Sequence, residues 1–80
     1  MDQEEAERLA RAIRKAPAEW IRVQSVEFNA ATGTYELKCL YRQVRKGLFH
    51  PQESWTTLWI KSPRQWIDLF IKHRDDLELP

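Results

Sequence analysis

One cysteine, two glycines and no long apolar run set limits on this chain of 80 residues. The lone Cys39 cannot form an internal disulfide, which argues against a stapled secreted scaffold. No apolar stretch reaches the length of a signal-peptide core or a membrane span. A soluble domain in a reducing, cytoplasmic setting is the expectation. There is no repeat and no low-complexity segment. No nucleotide-binding, metal-binding or catalytic motif stands out. Charge of one sign is also lacking: the formal net charge is +1, so bulk electrostatics selects no partner.

The charge is nevertheless uneven along the chain. Asp2, Glu4, Glu5 and Glu7 open it with no base among them. The basic excess falls in residues 8–46, where Arg8, Arg11, Arg14, Lys15, Arg22, Lys38, Arg42, Arg45 and Lys46 face only Glu19, Glu27 and Glu36. Hydrophobic content of 42% with 31% charged residues is ordinary for a globular domain. A chain this short makes one domain, spanning residues 1–80, and buries only about 60% of its unfolded surface.

Local patterns divide the chain into five elements. Residues 2–16 predict a helix: Asp2 and Glu5 have capping-box spacing, and Ala6, Leu9, Ala10 and Ile13 form one stripe. Pro17 ends it. With only two large side chains in the stripe, this helix is expected to be weakly anchored. Residues 20–28 and 34–42 predict a β-hairpin closed by Asn29 and Gly33, with Phe28 facing Tyr35. Tyr35, Leu37, Cys39 and Tyr41 share one face of the second strand. In the first strand Ile21 and Val23 are out of phase with Val26 and Phe28, which a bulge near Gln24–Ser25 would repair. Residues 43–54 predict a long loop interrupted by Gly47 and Pro51. Residues 55–61 predict a third strand. Ser62, Pro63 and Gln65 then open a helix with Trp66, Ile67, Leu69, Phe70, Ile71, His73 and Leu77 crowded on one side.

The expected fold is therefore α+β and two-layered. A three-stranded antiparallel meander carries both helices on the face of Tyr35, Leu37, Cys39 and Tyr41. The order α-β-β-β-α resembles that of the double-stranded-RNA-binding domain, over most of the chain but in topology alone. That family has a Gly-Pro-x-His turn where this chain has Asn29-Ala-Ala-Thr-Gly33. It has a lysine cluster opening the last helix where this chain has Lys61 and Arg64. It also joins its second and third strands tightly. RNA binding is what the resemblance would imply, and these departures weaken it.

Four tryptophans, three of them between Trp55 and Trp66, carry the functional reading. The segment Trp55-Thr-Thr-Leu-Trp-Ile60 is apolar on both alternating sets of positions, so both its faces need cover. With Leu58 and Ile60 toward the helices, Trp55 and Trp59 turn outward, and Trp20 and Leu40 are expected to join them. The opposite phase would exchange Trp59 for Leu58 and Ile60 and leave an apolar outer patch just the same. Either the 43–54 loop seals this patch with Val44, Leu48 and Phe49, or a partner meets it.

The expected function is non-catalytic binding, as a small adaptor or regulator. A protein partner, or a second copy, would contact Trp20, Leu40, Phe49, Trp55 and Trp59. The alternative is nucleic-acid binding through Arg8, Arg11, Arg42, Arg45 and Lys46 with the same aromatics. Against that, Glu4–Arg8 and Glu7–Arg11 spacing would satisfy the helix cations internally. His50, His73 and Cys39 lack metal-ligand spacing, and no nucleophile–base pair is evident. No cofactor, metal, membrane or small-molecule substrate is expected.

Overall fold

The computed structural model describes residues 1–45, 49, 50 and 52–78, without the side chains of residue 45 and residues 74–78. Helix α1 (Gln3–Arg14), strands β1 (Ile21–Asn29), β2 (Thr34–Arg45) and β3 (Gln52–Ile60), and helix α2 (Pro63–Glu78) follow in order. The strands form one antiparallel sheet, β1-β2-β3, with β2 central. The α+β, two-layer architecture expected from the sequence is the one observed.

Helix α1 begins where the capping logic places it. The Glu5 backbone N–H donates to Asp2 Oδ1 at 2.7 Å, and Glu4 and Glu5 lie in the first turn against the positive end of the helix dipole. Its stripe of Ala6, Leu9, Ala10 and Ile13 is buried against β1 and β2. The weak anchoring expected of α1 is not what the packing shows. Two alanines allow close approach, and Leu9 and Ile13 fill the space this leaves. The Tyr35 N–H also donates to the Met1 carbonyl at 2.8 Å, tying the start of the chain to β2.

The hairpin turn closes around Asn29. Its carbonyl accepts from the Gly33 N–H at 2.8 Å, and its Oδ1 accepts from the Ala31 N–H at 3.0 Å. Gly33 has φ of +69°, which glycine adopts without a Cβ penalty. Phe28 pairs with Tyr35, their ring centroids 5.0 Å apart. The β1–β2 register shifts between Val23 and Ser25, the bulge inferred from the phase error. Past it, Ile21, Val23, Val26 and Phe28 pair with Tyr41, Cys39, Leu37 and Tyr35 on the helix side.

The strands are longer and the connection shorter than the sequence pattern indicates. β2 runs to Arg45 and β3 starts at Gln52, with Val44 paired to Glu53. Helix α2 is capped by Ser62, whose Oγ accepts from the Gln65 N–H at 3.2 Å. Gln65 returns the bond one residue early: its Oε1 accepts from the Lys61 N–H at 2.8 Å, and its Nε2 donates to the Trp59 carbonyl at 3.1 Å. This one side chain fixes the entry of α2 beside the end of β3.

The core is Ala6, Leu9, Ala10, Ile13, Trp20, Ile21, Leu37, Cys39 and Ile60, with Trp66 and Leu69 of α2 against it. The crowded apolar side of α2 is only half used. Ile67 is 53% exposed, Phe70 41% and Ile71 40%. Leu77 lies outside the described side chains. Trp66 and Leu69 pack on the core and His73 stacks on Trp20, while Phe70 touches Trp20 only from the side, with ring centroids 6.2 Å apart.

Candidate functional site: the uncovered sheet face

Strand alternation defines what lies opposite the helices. On β3, Ile60 and Leu58 pair with Leu37 and Cys39 on the helix side, so Trp55, Thr57 and Trp59 take the other side. They pair there with Arg42, Leu40 and Lys38. On β1 the same face carries Arg22, Ser25 and Glu27, paired with Leu40, Lys38 and Glu36. Trp55, Trp59 and Leu40 thus stand where the sequence reading puts them.

Trp20 does not. It is buried and lies on the helix side, stacked on Trp66 at 5.4 Å and on His73 at 4.1 Å, with Tyr41 edge-on at 6.2 Å. The reason is local. Trp20 precedes β1, so its side chain escapes the strand alternation that would turn it outward, and α2 offers two flat rings to receive it. Phe49 is 89% exposed, and its ring neighbour among the described residues is His50 at 6.5 Å. Phe49 is no lid over the indoles. Val44 is also exposed, and Leu48 lies outside the described residues.

The two outer indoles are neither sealed nor bare. The Arg22 guanidinium carbon sits 4.5 Å from the centre of the Trp55 ring, and Lys38 Nζ sits 5.9 Å from that of Trp59. Trp55 remains 39% exposed and Trp59 37%. Arg22 is braced in turn, its Nε donating to the Ala18 carbonyl at 2.8 Å. Arg42 pairs with Glu53, and its Nη1 donates to the Glu19 carbonyl at 3.4 Å. Its Nε is buried without a hydrogen-bond partner. Both signs are interspersed on this face: Arg22, Lys38, Arg42 and Lys61 with Glu27, Glu36 and Glu53.

Of the cations grouped in the alternative reading, Arg8 and Arg11 do not converge with Arg42. Arg8 and Arg11 lie on α1, in the layer behind the sheet, and Arg8 already pairs with Glu4 at 3.4 Å. The Arg45 side chain and all of Lys46 lie outside the described residues. The alternation of the second strand already sets Glu36, Lys38, Leu40 and Arg42 opposite Tyr35, Leu37, Cys39 and Tyr41, and they stand there. What sequence reasoning missed is that Arg22 and Glu27 of β1 join them. The bulge inferred between Val23 and Val26 could have revealed both, since it turns Arg22 and Glu27 to the face opposite Ile21, Val23, Val26 and Phe28.

Cys39 is fully buried in the core, and burial pushes its thiol up to about 11. That keeps it neutral and weakly nucleophilic near pH 7. Among the described residues, no group of three or more His, Cys, Asp or Glu side chains is placed to hold a metal ion. Nor is any helix there long and apolar enough to cross a membrane. Comparison with protein-family models, curated proteins and solved structures finds no match to this chain.

Proposed function

We propose that this domain is a non-catalytic adaptor or regulator that binds a protein partner through the outer face of its sheet. One observation carries the reading. Trp55 and Trp59 stand half-open on a face no helix covers, flanked by Leu40 and held in place by Arg22 and Lys38. Indoles pre-oriented in this way lose little side-chain freedom on contact, which suits them to anchor an interface. The mixture of signs on the face favours a protein over a polyanion. A nucleic-acid surface draws its affinity from cations that neutralise phosphates, and here Glu27, Glu36 and Glu53 stand among the cations.

A photo-reactive residue at Thr57 tests the proposal, with the same residue at Glu7 on α1 as the control. The partner cross-linked from Thr57 is identified, purified and titrated against the isolated domain. Trp55→Ser with Trp59→Ser should weaken that complex by at least ~30-fold, the scale of a binding hot spot. Arg8→Ser with Arg11→Ser should leave it unchanged. Equal affinity in the tryptophan variant overturns the reading. So does binding that follows nucleic acid and falls about 10³-fold or more between 50 and 200 mM salt.

A further inference from the structure

The end of the outer face nearest the hairpin turn holds an arrangement that the tryptophans alone do not explain. Glu27 and Glu36 are paired directly across β1 and β2 on that face, an opposition of like charges that sheets ordinarily avoid. Glu36 is only 5% exposed. Its one hydrogen bond comes from Asn29 Nδ2, which donates to Oε1 at 3.1 Å. The ion pairs among the described side chains are Arg8–Glu4 and Arg42–Glu53, so neither Glu27 nor Glu36 has a cationic partner. The two carboxylates open into a hollow of about 480 Å³, lined also by Asn29, Trp59 and Lys61. Lys61 is exposed and pairs with neither acid, and Lys38 reaches over Trp59 instead.

We infer that this hollow receives an arginine side chain of the protein partner. The inference rests on the outer face being the binding surface, as proposed above. A buried carboxylate with one hydrogen bond and a like charge beside it is poorly compensated, and a cation delivered by a partner compensates it. Arginine fits better than lysine for two reasons. Its planar guanidinium can donate to both carboxylates at once, and its face can lie on the Trp59 indole. It is also the more weakly hydrated cation, so entering a partly buried site costs it less. The hollow would thereby fix the register of the partner along the face, with Trp55 and Leu40 supplying apolar contact further up the same strands.

The test uses the full chain, labelled for NMR, titrated with N-acetyl-arginine N-methylamide. The matching citrulline compound, a neutral isostere, and the lysine compound serve as comparisons. Arginine should give saturable shifts at the Trp59 indole N–H and the Asn29 side-chain amide, with a dissociation constant on the order of 1 mM. Lysine should bind several-fold more weakly, and citrulline should produce no saturable shift. Glu27→Gln should weaken arginine binding several-fold, and Glu36→Gln should abolish it. If Glu36→Gln does not fold, the exposed Glu27 and the variant Trp59→Leu carry the test. Equal shifts from citrulline, or arginine shifts confined to Trp55 or absent, overturn the inference. If arginine fails while the Thr57-linked partner still needs the two tryptophans, the inference falls and the face remains the binding surface. If arginine binds while that partner ignores the tryptophans, the binding reading falls and takes the partner's arginine with it.

Discussion

On the helix side of the sheet, Ile21, Leu37, Cys39 and Ile60 are sealed under α1 and α2. One residue away on each strand, Arg22, Lys38, Leu40 and Trp59 stand on the other side with no helix over them. The two faces share one backbone, yet they divide the apolar side chains differently. The covered face takes aliphatic residues and Trp20, which a small core can pack to density. The open face keeps two large rings whose exposed surface is tempered by cations. An indole can sit half in water because its face attracts a cation while its body stays apolar. The contrast shows where burial was completed within the chain and where it was not, which is the face proposed above to meet a partner.

The same contrast separates the helices. α1 has only two large side chains in its stripe and buries the whole stripe, whereas α2 leaves Ile67, Phe70 and Ile71 substantially exposed. Stripe size therefore misjudges anchoring. What matters is what lies beneath: α1 packs on β1 and β2, while α2 leaves the end of β3 and sets Trp66 and His73 on Trp20, just before β1.

Substitutions of one residue type on the two faces expose the difference most clearly. Trp20→Ala removes a buried indole stacked on Trp66 and His73 and should cost about 3–5 kcal/mol. Trp59→Ala, on the open face, should cost only about 1 kcal/mol, the scale of a lost cation–π and cross-strand contact. Denaturant unfolding of the two variants checks both. Similar losses would erase the distinction between the faces.

A second, smaller effect comes from Cys39. Its folded-state thiol is raised from 9.0 to about 11 by burial, so above pH 9 the unfolded chain gives up this proton before the folded one does. Stability from this group is intact below pH 9 and is lost as pH rises toward 11. The loss should be on the order of 2–3 kcal/mol and absent in Cys39→Ala, read from unfolding midpoints across that range. A thiol reagent at neutral pH should likewise modify Cys39 only after unfolding. The smallest effect belongs to the open face again. Glu53→Gln removes the partner of Arg42 and should cost under about 1 kcal/mol, because both side chains are partly solvated.

Much of this architecture was legible in the residues. The phase error between Val23 and Val26 located the bulge, Asn29 and Gly33 located the turn, and Asp2 and Ser62 located both helix starts. These are short-range signals, set by backbone geometry within a few residues. Trp20 was not legible, because its position depends on rings delivered by α2 more than forty residues away. The full length of β2 and β3 was hidden for a related reason. Gln43 to Arg45 and Gln52 to Ser54 carry no apolar alternation, and pairing alone holds them in the ladder. Of the expected contact set, Leu40, Trp55 and Trp59 share the open face, whereas Trp20 belongs to the core and Phe49 stands apart. The Phe28–Tyr35 pairing already sets Glu27 opposite Glu36; what was hidden is that Glu36 is buried there.

Fluorine NMR of the chain labelled with 5-fluorotryptophan places all four indoles in one spectrum, assigned by Trp→Phe variants. At micromolar concentration the Trp55 and Trp59 signals should show a clear H₂O/D₂O solvent shift that Trp20 lacks, and both should lose it when the cross-linked partner is added. Two outer indoles as shielded as Trp20 in the isolated chain, or unmoved by that partner, would contradict an open sheet face made for binding.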